Sequence, residues 1–184
     1  MMNSFFNALK EIVSNIENAI QQIDRDSLEK AINHIIQAKK IFCYGAGRSG
    51  LVARAFAQRL MHIGLNSYFI GETITPSCRD EDVVIIVSGS GETTSSVCIA
   101  RKAKEIGATV LLVTAHKEST LAKLSDLILY VPGKTKLVEK KSYAPFTSLF
   151  DITTLSVLDS IAAELMDRLK VDENVIQERH ANVE

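Results

Sequence analysis

Two short stretches of the chain combine glycines with hydroxyl side chains in a way that suits an anion. Residues 45–50 read Gly-Ala-Gly-Arg-Ser-Gly, and residues 88–94 read Ser-Gly-Ser-Gly-Glu-Thr-Thr. Each stretch follows an apolar run typical of a buried strand and precedes a helical pattern, so each ends at the N-terminus of a helix. Glycine lets the backbone approach a ligand, helix N-terminal N–H groups point towards it, and hydroxyls add donors. The two loops therefore predict binding of a phosphate-type group.

The second loop carries more hydroxyls than helix capping requires. One side-chain oxygen is enough to cap a helix, whereas this loop has several. They belong to Ser88, Ser90, Thr93 and Thr94. Glu92 stands at the predicted start of the following helix, where the helix dipole favours a carboxylate, and we interpret it as structural. The surplus of hydroxyls favours a phosphate site over a simple turn.

The first loop allows three interpretations from the residues alone. Its glycine spacing matches Gly-x-Gly-x-x-Gly, which after a strand and before a helix is typical of dinucleotide-binding proteins. Glu72 follows about 20 residues later, where such folds place a ribose-binding carboxylate. However, a chain of 184 residues leaves little room for the substrate region of a dehydrogenase, and the pattern does not explain the second loop. A phosphosugar site explains both loops, and a tight strand-to-helix turn is the structural alternative.

Arg48 and Ser49 stand where the helix after the first loop begins. A cation at a helix N-terminus is unfavourable for the dipole, so Arg48 favours an anionic partner, with simple solvation as the alternative. Ser49 suits an ordinary N-cap as well as a ligand-binding hydroxyl.

The rest of the pattern predicts an α/β fold with a parallel sheet. Continuous rather than alternating apolar runs are typical of strands whose two faces are covered by helices, and strand patterns alternate with helical ones along the chain. The predicted strands are 41–44, 67–70, 83–87, 109–114 and 127–131. The predicted helices are 5–23, a helix capped by Asp26 and Ser27, 49–63, 97–106, 118–124, 146–169 and a short one from residue 172. A polar stretch, 132–145, separates the last strand from the long helix.

Composition and charge narrow the class of protein. A formal net charge of -1 provides no global positive field for nucleic acid. No apolar run reaches the roughly 18 residues of a transmembrane helix, and the N-terminus lacks the basic flank of a signal peptide. The three cysteines form no Cys-x-x-Cys pair, so neither a zinc site nor a disulfide framework is indicated. We therefore expect a reduced cytoplasmic protein of one domain, without nucleic-acid or membrane partners.

The two loops resemble those of the sugar isomerase (SIS) family of phosphosugar isomerases and phosphosugar-binding proteins. Supporting stretches are residues 59–64, 71–76, 148–150 and 179–184. The resemblance covers nearly the whole chain, and in its tail and first loop the chain is most similar to the family's 6-phospho-3-hexuloisomerases. It implies a three-layer α/β/α sandwich, flavodoxin-like or Rossmann-like, with a five-stranded parallel sheet. It also implies one domain over residues 1–184, which includes the N-terminal helices (1–38) and the C-terminal helix and tail (171–184).

The resemblance further implies an activity and a set of binding residues. The activity is the reversible conversion of D-arabino-hex-3-ulose 6-phosphate to fructose 6-phosphate in the ribulose monophosphate pathway of formaldehyde assimilation. The enzyme would be a homotetramer with sites at subunit interfaces and without metal or organic cofactor. By position, the resemblance implies that the phosphosugar is bound by Ser49 and by the second loop, namely Ser88, Gly89, Ser90, Gly91, Glu92 and Thr93. We add Gly47 and Arg48 of the first loop as predicted binding residues. The alternatives are another SIS aldose or ketose phosphate isomerase and a phosphosugar-sensing regulator, which would typically carry a DNA-binding domain.

This reaction needs proton-transfer groups, because moving a ketone from C3 to C2 through an enediol takes a proton from one carbon and returns one to its neighbour. Asp151 stands where the family has its proposed catalytic Glu, which is one methylene longer; a carboxylate there also suits a helix N-terminus. The resemblance places the tail residue His180 at a neighbouring subunit's site, and we predict that it is the acid–base partner. Glu72 is a third, supporting candidate. Phe146 and Thr147 replace the family's Met and Gly, which alters the sugar pocket.

Overall fold

The computed structural model describes residues 3–136 and 141–183. Its helices are α1 (Asn3–Gln22), α2 (Arg25–Gln37), α3 (Arg48–His62), α4 (Thr94–Ile106), α5 (Thr120–Leu124), α6 (Ser148–Leu169) and α7 (Glu173–Arg179). Its strands are β1 (Ile41–Gly45), β2 (Ser67–Phe69), β3 (Val83–Val87), β4 (Thr109–Thr114) and β5 (Leu127–Tyr130). Every predicted strand is present, with ends within one residue of the prediction.

The five strands form one parallel sheet in the order β2-β1-β3-β4-β5, which confirms the predicted α/β class. The chain moves outward from β1 to β2 and then returns with β3 on the other side of β1. The carboxyl ends of β1 and β3 therefore border a topological switch point, where open α/β sheets bind their ligands. Since the two predicted anion loops follow these two strands, the topology places them side by side. This order is flavodoxin-like and differs from that of the dinucleotide-binding Rossmann sheet.

Helices cover both faces of the sheet, as predicted for a three-layer sandwich. Successive residues of a strand point to opposite faces. In β1, Ile41 and Cys43 therefore pack with α2, α3 and α6, whereas Phe42 packs with α4 and α5. The continuous apolar strands follow from this arrangement, because neither face of the sheet meets solvent.

The second helix covers the sheet beside β5 and buries Ile32 and Ile35 in the core. Its predicted cap is wrong. Asp24, rather than Asp26 or Ser27, is the N-cap residue, and its carboxylate accepts the backbone N–H of Ser27 at 2.8 Å. The reason is geometric, because an N-cap side chain reaches the amide two or three residues further on.

The first helix lies outside the sandwich and packs along α6. Ala19 is its buried residue. Several large apolar side chains on α1 stay exposed, namely Phe5, Phe6, Leu9, Val13 and Ile20. Neither α1 nor any other helix within residues 3–136 and 141–183 combines the length and apolar character needed to cross a membrane.

The β5–α6 connection is described for residues 131–136 and 141–147, and its beginning packs against the first turn of α6. Gly133 lies so close to this helix that an added Cβ would sit 2.5 Å from the Cα atom of Phe150. Thr135 is buried two residues later, at 2% exposure. Residues 137–140 of the predicted polar stretch 132–145 lie outside the described residues. The start of the connection therefore has a fixed place on the protein rather than a solvent-exposed path.

Candidate functional site

The two anion loops meet in one cavity of about 380 Å³ at the switch point of the sheet. This volume lies within the range of small-molecule sites. The loops contribute Ala46, Gly47, Arg48, Ser49, Val87, Ser88, Gly89, Ser90 and Thr93 to the lining. The β5–α6 connection and the start of α6 contribute Thr135, Lys136, Phe146, Thr147 and Phe150. Residues from four separate parts of the chain therefore surround one small space.

The buried hydroxyls of the second loop are oriented by backbone N–H groups. Ser88 Oγ accepts the N–H of Gly91 at 3.2 Å, and Ser90 Oγ accepts the N–H of Glu92 at 3.3 Å. Both serine side chains are buried, at 3% and 5% exposure. Among residues 3–136 and 141–183, neither hydroxyl donates a hydrogen bond, so each hydroxyl proton is available to a ligand. Buried polar groups require partners, and a bound oxyanion would accept both protons.

Two helix N-termini open on the same cavity without side-chain caps. The N-cap residue of α3 is Gly47, with φ of 57°, and the N-cap residue of α4 is Thr93, whose side chain makes no capping bond. Ser49 is therefore not the N-cap. The N–H groups of a first helical turn have no partner within the helix, and the helix dipole favours an anion in front of them. Together with the serine hydroxyls, these amides form a site for the oxygens of a phosphate group.

Gly91 and Glu92 belong to the second loop but do not line the cavity. Gly91 has φ of 66°, and a Cβ there would collide with Ser119 Oγ, so the loop packs directly on the start of α5. The Glu92 carboxylate accepts the backbone N–H of Thr120 at 2.8 Å, and this bond lowers the pKa of Glu92. Glu92 thus serves the N-terminus of α5, and not that of α4, because the loop folds back onto α5.

A buried carboxylate connects the first loop to the start of α6. Asp151 is 2% exposed. Its Oδ1 accepts the hydroxyl of Ser49 at 3.0 Å, and its Oδ2 accepts the hydroxyl of Thr147 at 2.6 Å and Nε–H of Arg48 at 3.3 Å. These three donors compensate a charge that would be costly to bury alone. Since Arg48 uses Nε here, its two Nη groups, which have no partner among residues 3–136 and 141–183, remain for an anion.

Asp151 does not line the cavity itself. Ser49 and Thr147 line it instead, and their hydroxyls lie between the cavity and the carboxylate. Aspartate is one methylene shorter than glutamate and therefore stays behind these two hydroxyls. A hydroxyl that donates to a carboxylate is polarised and can pass a proton to it, so Asp151 can act on a bound molecule through Ser49 or Thr147.

Phe146 forms part of the cavity wall on a strained backbone. Its φ is 37°, and its side chain is 65% exposed. The left-handed region costs a residue with a side chain about 1–2 kcal/mol. The phenyl ring is too exposed for its burial to offset this cost, so contacts of the neighbouring residues must hold the conformation.

Sequence reasoning missed several residues at the cavity. Thr135 and Lys136 fall in a polar stretch that showed no motif, although its lysines were a signal for an anion site. The Thr135 hydroxyl lies 2.9 Å from Nε2 of His116, a histidine with no partner evident in the sequence. Thr147 was predicted at the sugar pocket, but its bond to Asp151 was missed, although it precedes Asp151 by four residues and so faces it across one helical turn.

His180 lies away from the cavity of its own chain. Its ring stacks on that of His62, with centroids 5.3 Å apart, and the neighbouring Arg179 packs against Gly64. His62 is the last residue of α3, whereas Ser49 lies at the beginning of that helix. A helix rises 1.5 Å per residue, so His62 and Ser49 are roughly 20 Å apart along it. Within one chain, the structure therefore does not bring His180 to Asp151.

Glu72 is also outside the cavity. Its carboxylate forms an ion pair with Arg54, whose guanidinium lies 3.8 Å from the centre of the Phe69 ring. The carboxylate that a dinucleotide site would use to bind ribose is thus paired with Arg54 of α3. In the part of the chain that the structure describes, no group of three His, Cys, Asp or Glu side chains is placed to hold a metal ion.

Comparison with known proteins relates most of the chain to one family. The family model of the SIS domain matches residues 34–163. A Bacillus subtilis protein named 3-hexulose-6-phosphate isomerase is 40% identical over 177 residues, which cover 95% of this chain and 96% of that protein.

Solved structures share the fold. One is the crystal structure of a Methanococcus jannaschii protein, from which the function of a 3-hexulose-6-phosphate isomerase was inferred for that protein. It superimposes with a TM-score of 0.86 at 39% identity, covering 96% of this chain and 98% of that one. The NanR protein of Vibrio vulnificus, complexed with ManNAc-6P, has a TM-score of 0.78 at 23% identity, covering 93% of this chain and 65% of that chain. At that lower identity, the second likeness concerns the fold alone.

The stacked histidines predict a pH dependence of stability. Burial lowers the pKa of His62, and the positive charges of His180 and Arg59 lower it further. A depressed folded-state pKa means that the unfolded chain binds the proton more readily, so stability is complete above about pH 6.5 and falls below it. Urea unfolding at pH 7.5 and 5.5 should show this loss, and His62→Phe should reduce it. If His62→Phe lost as much stability between pH 7.5 and 5.5 as the wild type, this loss could not be assigned to His62. His34→Gln is the matched control.

Proposed function

The chain belongs to the SIS domain family and is a phosphosugar isomerase, and we propose that it interconverts D-arabino-hex-3-ulose 6-phosphate and fructose 6-phosphate. This reaction would place it in the ribulose monophosphate pathway of formaldehyde assimilation. The proposal is supported by the relatives named 3-hexulose-6-phosphate isomerase, which match over nearly their full length. The observation that carries it is the single cavity in which two uncapped helix N-termini and two buried serine hydroxyls converge.

The phosphate would bind at the second loop and hold the substrate for the chemistry. Hydroxyls of Ser88 and Ser90 and the N-terminal amides of α4 would donate to its oxygens, with Arg48 and Lys136 supplying positive charge. Such binding energy, made far from the reacting carbons, positions C2 and C3 against the proton-transfer groups. The residues that surround the rest of the cavity, Phe146 and Thr147 among them, would then contact the sugar chain.

Asp151 would be the proton acceptor of the enediol step. The base takes a proton from one carbon while the neighbouring carbonyl oxygen gains a proton, which gives the enediol. A proton, exchanged with solvent in the meantime, is then added to the former carbonyl carbon while the hydroxyl oxygen of the first carbon loses its proton. In this chain the proton would pass through the hydroxyl of Thr147 or Ser49, because these hydroxyls separate Asp151 from the cavity. The Arg48 guanidinium compensates the carboxylate charge between turnovers.

His180 would act in the cavity of a neighbouring subunit, and the protein would be a homotetramer. Its own cavity lies too far away, at the opposite end of α3. The exposed apolar side chains of α1 offer a surface for subunit contact. Glu72, shortly after the edge strand β2, would support the subunit contact rather than touch the substrate.

The first test is turnover of the proposed substrate. We expect the purified protein to form fructose 6-phosphate from the hex-3-ulose phosphate, and Asp151→Asn to lower kcat by about 10²–10⁴-fold, the usual contribution of a general base. The control is Asp167→Asn, which alters an exposed ion pair at the far end of α6 and should leave kcat unchanged. A wild-type protein without turnover would refute the enzymatic proposal, and full activity of Asp151→Asn would remove Asp151 from the mechanism.

The second test separates a phosphosugar site from a dinucleotide site. We expect fructose 6-phosphate to raise the thermal unfolding temperature and NAD(P) to leave it unchanged. Ser90→Ala should weaken fructose 6-phosphate binding about 10-fold or more, because a hydrogen bond to a charged group contributes about 1.5–3 kcal/mol. Ser160→Ala, on the exposed side of α6, is the matched control. Stabilisation by NAD(P) alone would favour the dinucleotide interpretation instead.

The third test locates His180. We expect Asp151→Ala and His180→Ala to be inactive separately, while co-expressed chains recover about one quarter of wild-type activity. In a symmetric oligomer with shared sites, half of the sites would keep Asp151, and half of those would meet an intact neighbouring His180. Absence of recovery in mixed oligomers would show that each site uses residues of one chain only.

A further inference from the structure

We propose that α1 positions the outer wall of the cavity, through Glu11 and Asn15, and thereby sets the affinity of the site for its phosphosugar. The role in affinity rests on the proposed function. The two side chains lie one helical turn apart and contact the β5–α6 connection at its two ends. Neither residue lines the cavity, so both are positioning residues.

Glu11 binds the end of the connection through a single carboxylate oxygen. Its Oε2 accepts the backbone N–H of Tyr143 at 2.7 Å, the backbone N–H of Ala144 at 3.0 Å and the hydroxyl of Ser142 at 3.0 Å. Three consecutive residues are thus fixed to a helix more than 130 positions earlier in the chain. A carboxylate is suited to this role, because an ionised oxygen accepts several hydrogen bonds and strengthens each one.

The charge state of Glu11 agrees with this geometry. Burial raises the pKa of its carboxyl group, but the donors from Ala144, Ser142 and Tyr143 together outweigh burial and leave the pKa below its ordinary value. The carboxylate is therefore ionised at neutral pH, as the three hydrogen bonds require.

Asn15 binds the beginning of the connection. Its Nδ2 donates to the carbonyl of Pro132 at 3.0 Å and to the hydroxyl of Thr153 at 2.8 Å, and it lies 3.4 Å from the carbonyl of Leu149. One amide group thereby joins α1, the connection and the first turn of α6. Gly133 follows immediately and packs against the backbone of Phe150 without room for a Cβ, so this end of the connection lies in close contact with α6.

The fixed points lie next to the residues that form the wall. Thr135 and Lys136 follow Pro132 by three and four residues, and Phe146 follows Ala144 by two. Phe146 has a positive φ and an exposed ring, a conformation that persists only where its surroundings impose it. Phe146 lies in a turn closed by the Ser148 N–H, which donates to the Pro145 carbonyl at 2.8 Å; the Glu11 bonds hold one side of this turn and the Thr147–Asp151 bond holds the other. Loss of Glu11 would let Phe146 relax and displace the wall.

The test compares Glu11→Ala, Glu11→Gln and Glu17→Ala. Glutamine keeps an acceptor oxygen of the same reach, and Glu17 is an exposed residue of the same helix. In Glu11→Ala we expect amide hydrogen exchange at Tyr143 and Ala144 to accelerate at least tenfold, and KM for the hex-3-ulose phosphate to rise about tenfold with kcat within twofold. Glu11→Gln, which keeps the reach but not the charge, should recover only part of both effects, and Glu17→Ala should match the wild type.

Unchanged exchange at Tyr143 and Ala144 in Glu11→Ala would overturn the positioning role, and faster exchange without a change in KM would overturn its link to affinity. Absence of turnover in the wild type would contradict the proposed function instead. In that case the exchange rates, which need no substrate, still decide the positioning role, and fructose 6-phosphate binding replaces KM. If Glu11→Ala does not fold, Glu11→Asp, which withdraws the carboxylate by one methylene, provides the same comparison.

Discussion

The uncapped N-termini of α3 and α4 are the constraint on which the rest of the structure depends. A parallel sheet with the order β2-β1-β3-β4-β5 brings these two helix N-termini to one point, and neither receives a side-chain cap. Their partial positive charges favour an anion between them. The glycines and serines of the two loops follow from this constraint, because the backbone must remain open to the ligand and hydroxyls must complete its hydrogen bonds.

A site that binds an anion must also place groups that can move protons, and this structure separates the two tasks. The phosphate loops lie on the sheet, whereas Asp151 comes from α6 and reaches the cavity through two hydroxyls. The connection that leads to α6 is in turn fixed by α1. An outer helix that contributes little to the central core is thereby connected to the cavity by a few polar contacts, which explains why Glu11 and Asn15 point inward on a helix with an exposed apolar surface.

The local sequence was sufficient for the elements and the loops, but not for contacts between distant residues. Strands such as Val83–Val87 could be predicted because a short continuous apolar run followed by glycines is typical of a strand with helices on both faces of its sheet. The bond between Ser49 and Asp151 spans 102 positions, and no spacing rule indicates such a contact. For the same reason Ser49 looked like a cap, Thr135 and Lys136 went unnoticed, and the stacking of His180 on His62 could not be foreseen.

The central claim is that the cavity catalyses proton transfer between C2 and C3 of a ketohexose 6-phosphate. It is tested most directly by incubating fructose 6-phosphate with the protein in D₂O and following the sugar protons by NMR. An enediol between C2 and C3 predicts deuterium at C3, with C1 unchanged. Exchange at C1 would indicate an aldose–ketose isomerase instead, and a sugar that gains no deuterium at C3 would contradict the claim.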